Sequence, residues 1–167
     1  MSWRDKLCFK DEDLKSPEHD ALVIWLFENH EKIANYLYGS DRKNFQTKTP
    51  KMEEPIANKH NTILCFIDLM LEISWEEELS GRSSLKRSGV ILFEAKPKIL
   101  SLGETLRQLK SYEHYFDSNY YNSTYSYARG KAVVVSPDTR FKEAIEKQGF
   151  KFVNPDDFKS DGDKNDL

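Results

Sequence analysis

Two apolar segments that each contain a carboxylate constrain this sequence most. Asp68 interrupts the apolar segment Ile63–Leu71, and Glu94 directly follows the apolar segment Val90–Phe93. Segments this apolar are typical of buried strands. An unpaired carboxylate in such a strand costs on the order of several kcal/mol. The fold must therefore pair these two acids, keep them protonated or bind them to a metal ion.

The spacing around the two acids favours a shared site. A polar connection over 76–89 predicts a hairpin with an extended tip, in which Asp68 lies close to Glu94. Side chains alternate along a strand, so Lys96 points to the same side as Glu94, with Ala95 opposite. Two carboxylates and a backbone carbonyl form a hard-oxygen site suited to Mg²⁺ or Mn²⁺. With a lysine beside them, they are the parts that metal-assisted phosphodiester hydrolysis requires.

The rest of the sequence predicts helices alternating with strands. The expected elements are a helix from Pro17, a loop over 39–50, a short strand at 51–56, strands at 62–75 and 90–95, a helix at 103–116, a strand at 131–136, a helix from Pro137 to Gly149 and a strand at 150–153. This order predicts an α/β fold with a mixed central sheet flanked by helices.

Length and composition set the outer limits. The 167 residues predict one domain over 1–153, followed by a flexible acidic tail over 154–167 that accounts for the whole net charge of −3. A neutral body excludes a protein that binds nucleic acid by bulk charge. Two cysteines exclude a disulfide scaffold or a zinc ribbon. Without a signal peptide or an apolar segment of about 20 residues, we expect a soluble cytoplasmic protein with no membrane contact.

Positive charge is concentrated locally. The window 82–110 contains seven Lys or Arg residues and two Glu residues, and it predicts a basic groove around the proposed metal site. Arg82, Lys86 and Arg87 at the hairpin tip are candidates for DNA contacts, although a solvated loop explains them equally well.

The helix that follows the second strand carries Gln108 and Tyr112, which share one face because they lie four residues apart. Together, Asp68, Glu94-Ala95-Lys96 and this Gln-x-x-x-Tyr spacing resemble the PD-(D/E)xK nuclease superfamily, and within it the RecB-like branch with a QxxxY motif. The resemblance covers residues 16–153, but Ile67 stands where the family pattern has proline.

The resemblance implies a restriction-endonuclease-like αβββαβ core and a Mg²⁺-dependent nuclease that acts on DNA, with Mn²⁺ as a substitute metal. Asp68 and Glu94 would bind the metal together with the Ala95 carbonyl, and Lys96 would be the catalytic lysine. Gln108 and Tyr112 would position DNA or the metal-site residues.

Many members of the superfamily add an acid or a histidine from the first helix. Glu18 is the first candidate for this metal-binding and catalytic position, and His19 is the second. Glu18 also has an ordinary explanation, because the helix dipole favours acids in a first turn.

Two other functions stay open. One is a non-catalytic nucleic-acid-binding or assembly protein on the same fold. The other is a partner-binding domain that forms a homo-oligomer through its tyrosine-rich segment, which contains Tyr120, Tyr121, Tyr125 and Tyr127. These tyrosines could also stack on unpaired bases, but a packed loop or a subunit contact is the simpler explanation.

Overall fold

A six-stranded mixed sheet with helices on its faces forms the fold. The computed structural model describes residues 16–57, 60–81, 83–120 and 127–159. In chain order, the elements are α1 (Pro17–Ala34), β1 (Lys43–Thr47), β2 (Lys51–Ala57), β3 (Ile63–Glu78), β4 (Ser84–Ala95), α2 (Leu102–Tyr120), β5 (Tyr127–Val135), α3 (Lys142–Lys147) and β6 (Lys151–Val153). Short 3₁₀ turns at Thr139–Phe141 and Pro155–Phe158 precede α3 and follow β6.

The long strand β3 organises the sheet. Its first half pairs with β2 and its second half with β1, while its other edge pairs with β4; all three pairings are antiparallel. Strands β5 and β6 then add in parallel to β4. The order α1, β2, β3, β4, α2, β5 is the predicted αβββαβ core. The predicted fold class is therefore confirmed, with β1 and the α3–β6 unit as additions.

The β3–β4 hairpin differs from the prediction. Instead of a polar excursion over 76–89, the two strands pair without a break as far as Glu78 opposite Ser84. Opposite charges face each other across this polar ribbon, including the ion pair between Arg87 and Glu77 at 2.6 Å, and such cross-strand pairs stabilise a ladder. Strand β1, predicted as a loop, also differs from the prediction. It pairs antiparallel with the second half of β3, and an exposed ion pair joins Lys43 to Glu78 across the two strands.

The hydrophobic core has a layer on each face of the sheet. The layer beneath α1 contains Leu22, Leu26, Leu71, Ile91 and Phe93. The opposite layer lies beneath α2 and α3 and contains Met70, Leu92, Tyr112, Ile99, Leu109 and Ile145. The central strands are thus buried on both faces, as their continuous apolar sequence predicts.

The ends of the helices follow the sequence closely. The Ser16 hydroxyl accepts a hydrogen bond from the His19 N–H at 3.1 Å and caps α1, with Pro17 in the first turn. The third helix is shorter than predicted because a 3₁₀ turn takes its first residues. As expected, Gly149 ends this segment with a φ of +87°, a conformation that glycine adopts readily. No helix in the described ranges is long and apolar enough to cross a membrane.

The first residues of the predicted tail pack against the domain. Pro155 is buried, and the Phe158 ring packs edge-on against Trp25 and Tyr36 at centroid distances of 6.1 and 5.3 Å. No sequence pattern indicated this packing, because four of the first six residues after Val153 are polar or charged. The rest of the predicted tail, the lead-in before Ser16 and Arg82 lie outside the described residues.

Candidate active site

The predicted carboxylates and lysine come together at one place in the sheet. Asp68 lies in β3, Glu94 lies near the end of β4, and Lys96 follows the last residue of that strand. Their exposed fractions are 3%, 1% and 6%, so all three are buried. Ladder pairing between the two strands stops at Leu69 and Phe93. The three side chains therefore lie where the ladder ends.

Asp68 is held through both of its oxygens. The Ala95 N–H donates to Oδ2 at 2.7 Å, which ties β3 directly to the end of β4. Oδ1 lies 3.2 Å from Nε2 of His19, which is buried in the first turn of α1. These contacts fix the orientation of the Asp68 carboxylate from two different elements.

Glu94 has a different partner at each oxygen. Oε1 lies 2.9 Å from the Lys96 Nζ, and both side chains are buried. The Tyr112 hydroxyl lies 2.5 Å from Oε2, and it also lies 2.9 Å from the Phe66 carbonyl. Gln108 Nε2 donates to this hydroxyl at 2.7 Å. The predicted pair on α2 therefore orients Glu94, with Tyr112 in contact and Gln108 behind it.

Burial and the charge of Asp68 raise the pKa of Glu94 to about 8, although Lys96 and Tyr112 act in the opposite direction. Burial also raises the pKa of Tyr112 well above its usual value, and the charges of Glu94 and Asp68 add to this. Tyr112 therefore remains a protonated donor near neutral pH. Burial alone would lower the pKa of His19, but its hydrogen bond to Asp68 and the Asp68 charge raise it instead.

The two candidates on the first helix lie in different surroundings. Glu18 is exposed in the first turn of α1, and the neighbouring His19 is the residue that contacts Asp68. Successive residues point about 100° apart around a helix, so only one of the two can face the sheet. The structure thus places His19, the second candidate from the sequence, against Asp68.

Two groups near the site escaped the sequence analysis. One is the Phe66 backbone carbonyl that meets Tyr112, and no sequence signal marks a carbonyl of this kind. The other is the Cys65 thiol, whose pKa burial raises to about 11 with a contribution from the Glu94 charge. This shift keeps the thiol protonated.

The donor set fits a hard divalent cation. In the described ranges, no three His, Cys, Asp or Glu side chains are already arranged to hold a metal. Mg²⁺, however, commonly binds one or two carboxylates and keeps its remaining ligands from water and substrate phosphate. No hydrogen bond of standard geometry from the described residues satisfies Glu94 Oε1, although the Lys96 ammonium lies close to it. A cation beside Asp68 and Glu94 would favour the ionised form of both acids.

Among the basic residues that the structure describes, those of the hairpin do not form one patch with the buried site. Arg87 pairs with Glu77, and Lys86 faces Glu76 across the ribbon. Glu76 lies eight residues beyond Asp68 along β3. At about 3.3 Å per residue, the two are on the order of 25 Å apart. The positive charge of the hairpin is therefore matched by the acids of β3 and lies far from the buried carboxylates.

The tyrosine-rich segment remains largely outside the described residues. Tyr120 ends α2 and Tyr127 begins β5, whereas Tyr121 and Tyr125 lie in the part that the structure does not describe. Base stacking and a subunit contact through this segment both stay predictions.

The fold and site thus define an α/β protein with a buried carboxylate–lysine centre. No family model matches the chain, and no curated protein matches it. Among solved structures, the chain is similar to a repair endonuclease from Pyrococcus abyssi, with a TM-score of 0.47 and 19% sequence identity. The similarity covers 84% of this chain and 46% of that one, so the chain spans less than half the length of that protein. One fold can carry different activities at such identity.

Proposed function

We propose that this chain is a Mg²⁺-dependent nuclease that hydrolyses phosphodiester bonds of DNA. The observation that carries the proposal is the convergence of Asp68, Glu94 and Lys96, which come from two strands, in one buried centre. Buried charges are costly, so a group of three in a core is a candidate functional site.

The metal would be held by the Asp68 and Glu94 carboxylates, with the Ala95 carbonyl as a further ligand. His19 would orient Asp68 through the contact of its Nε2 atom. Mg²⁺ bound there would supply an activated water and would stabilise the negative charge that develops on the phosphoryl group. Mn²⁺ offers similar oxygen-ligand chemistry and is expected to substitute.

The chain's own groups would hold these ligands in place and handle charge. The Ala95 N–H fixes one oxygen of Asp68, and Tyr112 fixes one oxygen of Glu94. Gln108 donates to the Tyr112 hydroxyl, so the Tyr112 proton is directed towards Glu94 or the Phe66 carbonyl. The Lys96 ammonium, 2.9 Å from Glu94, would orient the attacking water or stabilise the pentavalent phosphoryl charge.

One observation favours a second candidate, a non-catalytic nucleic-acid-binding or assembly protein on the same fold. No member of the centre is more than 6% exposed, and most of its polar atoms already bond to one another. A polar network of this kind can also specify a core without doing chemistry.

The experiment that separates the two is incubation with labelled single- and double-stranded DNA and RNA in Mg²⁺, Mn²⁺ or EDTA. We expect metal-dependent cleavage of DNA that Glu94→Gln and Lys96→Met both abolish. The matched control is Glu104→Gln, since Glu104 is a surface carboxylate on α2 with a 74% exposed side chain. Cleavage that survives EDTA or both site variants would reject the proposal, and binding without cleavage would favour the second candidate.

A further inference from the structure

The segment that joins β4 to α2, residues 96–101, is held at its middle by two side chains from another loop. The Ile99 N–H donates to Asp138 Oδ2 at 3.0 Å. The Ile99 carbonyl accepts from Arg140 Nη2 at 3.3 Å. Both backbone polar groups of Ile99, whose side chain is buried, are thus tied to the loop that follows β5.

The two side chains form a rigid unit, which we call the Asp138–Arg140 clamp. Arg140 donates from Nε to Oδ1 at 2.8 Å and from Nη2 to Oδ2 at 2.6 Å, a two-point geometry that only arginine provides. The carboxylate also accepts the Arg140 backbone N–H at 3.3 Å. The Arg140 guanidinium holds the pKa of Asp138 well below its usual range, so the clamp stays charged at neutral pH.

The segment held by the clamp has parts of the candidate site at both ends. Lys96 opens it, and the Lys96 N–H donates to the Val135 carbonyl at 2.9 Å. Ser101 closes it and accepts the Glu104 N–H at 3.3 Å at the start of α2, the helix that carries Gln108 and Tyr112.

The Ile99 side chain strengthens this link. It packs in the same hydrophobic cluster as Leu109, which is the neighbour of Gln108 on α2. The clamp therefore fixes Ile99 between the lysine of the site and the helix that orients Glu94.

We propose that Asp138 and Arg140 are positioning residues for Lys96 and for the start of α2. The proposal rests on the proposed nuclease function, and neither residue would touch the reacting atoms. Releasing Ile99 would let the segment move, and a displacement of about 1 Å in a catalytic group can lower a rate on the order of a hundredfold. A partly exposed ion pair alone contributes little to stability, so activity should fall much more than stability.

The test compares Asp138→Asn and Arg140→Lys with the control Glu143→Gln. The control breaks the exposed ion pair between Glu143 and Lys147 on α3, which spans 2.6 Å and does not touch the segment. The first readout is single-turnover cleavage of labelled DNA in Mg²⁺. We expect the maximal rate of both clamp variants to fall between about ten- and a hundredfold, with half-saturation unchanged.

The second readout does not depend on activity. Lys96 is buried, so N-hydroxysuccinimide acetate should label it slowly in the wild-type protein, as measured by mass spectrometry. In the clamp variants the labelling of Lys96 should become faster, whereas in Glu143→Gln it should not change.

Clamp variants that match Glu143→Gln in both readouts would overturn the inference. If the wild-type protein cleaves nothing, the nuclease proposal fails, and Lys96 labelling alone then decides whether the clamp positions Lys96. If Asp138→Asn does not fold, Arg140→Lys decides, because the Arg140 side chain is 58% exposed and its replacement should leave the core packing intact.

Discussion

Removing the Tyr112 hydroxyl tests the buried network most sharply. Tyr112 is fully buried, and its hydroxyl meets Glu94 Oε2, the Phe66 carbonyl and Gln108 Nε2. Tyr112→Phe deletes one oxygen and leaves the packing of the ring unchanged. Gln108 is half-buried and can turn towards water, so its loss should cost little. Glu94 cannot do this, because it is 1% exposed.

The expected magnitude follows from the group that is left without a partner. A buried polar group that loses its hydrogen bond costs about 1–3 kcal/mol. We therefore expect Tyr112→Phe to lower the free energy of unfolding by about 2 kcal/mol. For a chain of this size, such a loss lowers the Tm by roughly 4–8 °C. Thermal unfolding followed by circular dichroism, together with urea titration, measures both quantities.

Tyr36→Phe is the matched control, because it removes the same atom from a ring that is 66% exposed. Its stability should stay within about 0.5 kcal/mol of the wild type. If the two variants lose the same stability, the Tyr112 hydroxyl does not hold Glu94, and the account of the α2 motif is wrong.

Three further predictions concern the elements that support the site. Leu26 is fully buried in α1, so Leu26→Ala should leave a cavity and lower the free energy of unfolding by about 2–5 kcal/mol. Ile24→Ala, on the exposed side of the same helix, should cost far less. Urea titration of the two variants compares these losses. The pKa of Asp138 is lower in the folded than in the unfolded state, so its stabilising contribution is present above pH about 4 and is lost as the pH falls further. The difference in unfolding free energy between the wild type and Asp138→Asn should therefore shrink between pH 7 and pH 3. A constant difference would contradict this. In the DNA cleavage assay, His19→Gln should lower the rate and Glu18→Gln should not. The reverse result would assign the role to Glu18 instead.

The central carboxylates and the lysine could be predicted because strand geometry is local. Apolar composition identified the two strands, and the alternation of side chains placed Glu94 and Lys96 on one side. The polar connection between the strands indicated a hairpin, which brought Asp68 to the same place. Each of these steps needs only the sequence near the residue concerned.

The features that were missed depend on distant contacts. Strand β1 is polar and acquires its structure from pairing with β3, where Lys43 meets Glu78. The choice between Glu18 and His19 depends on how α1 is rotated against the sheet, which two adjacent residues cannot reveal. The packing of Phe158 onto α1 depends on an aromatic partner more than a hundred residues away.

The central claim is that Asp68 and Glu94 bind the metal, whereas Lys96 acts in hydrolysis without binding it. Mn²⁺ binding, measured by electron paramagnetic resonance on the variants of the DNA cleavage assay, tests it most directly. We expect Asp68→Asn to lose both Mn²⁺ binding and cleavage, and Lys96→Met to keep Mn²⁺ binding while losing cleavage. Wild-type protein that binds no Mn²⁺, or Asp68→Asn that binds it as tightly as the wild type, would contradict the account.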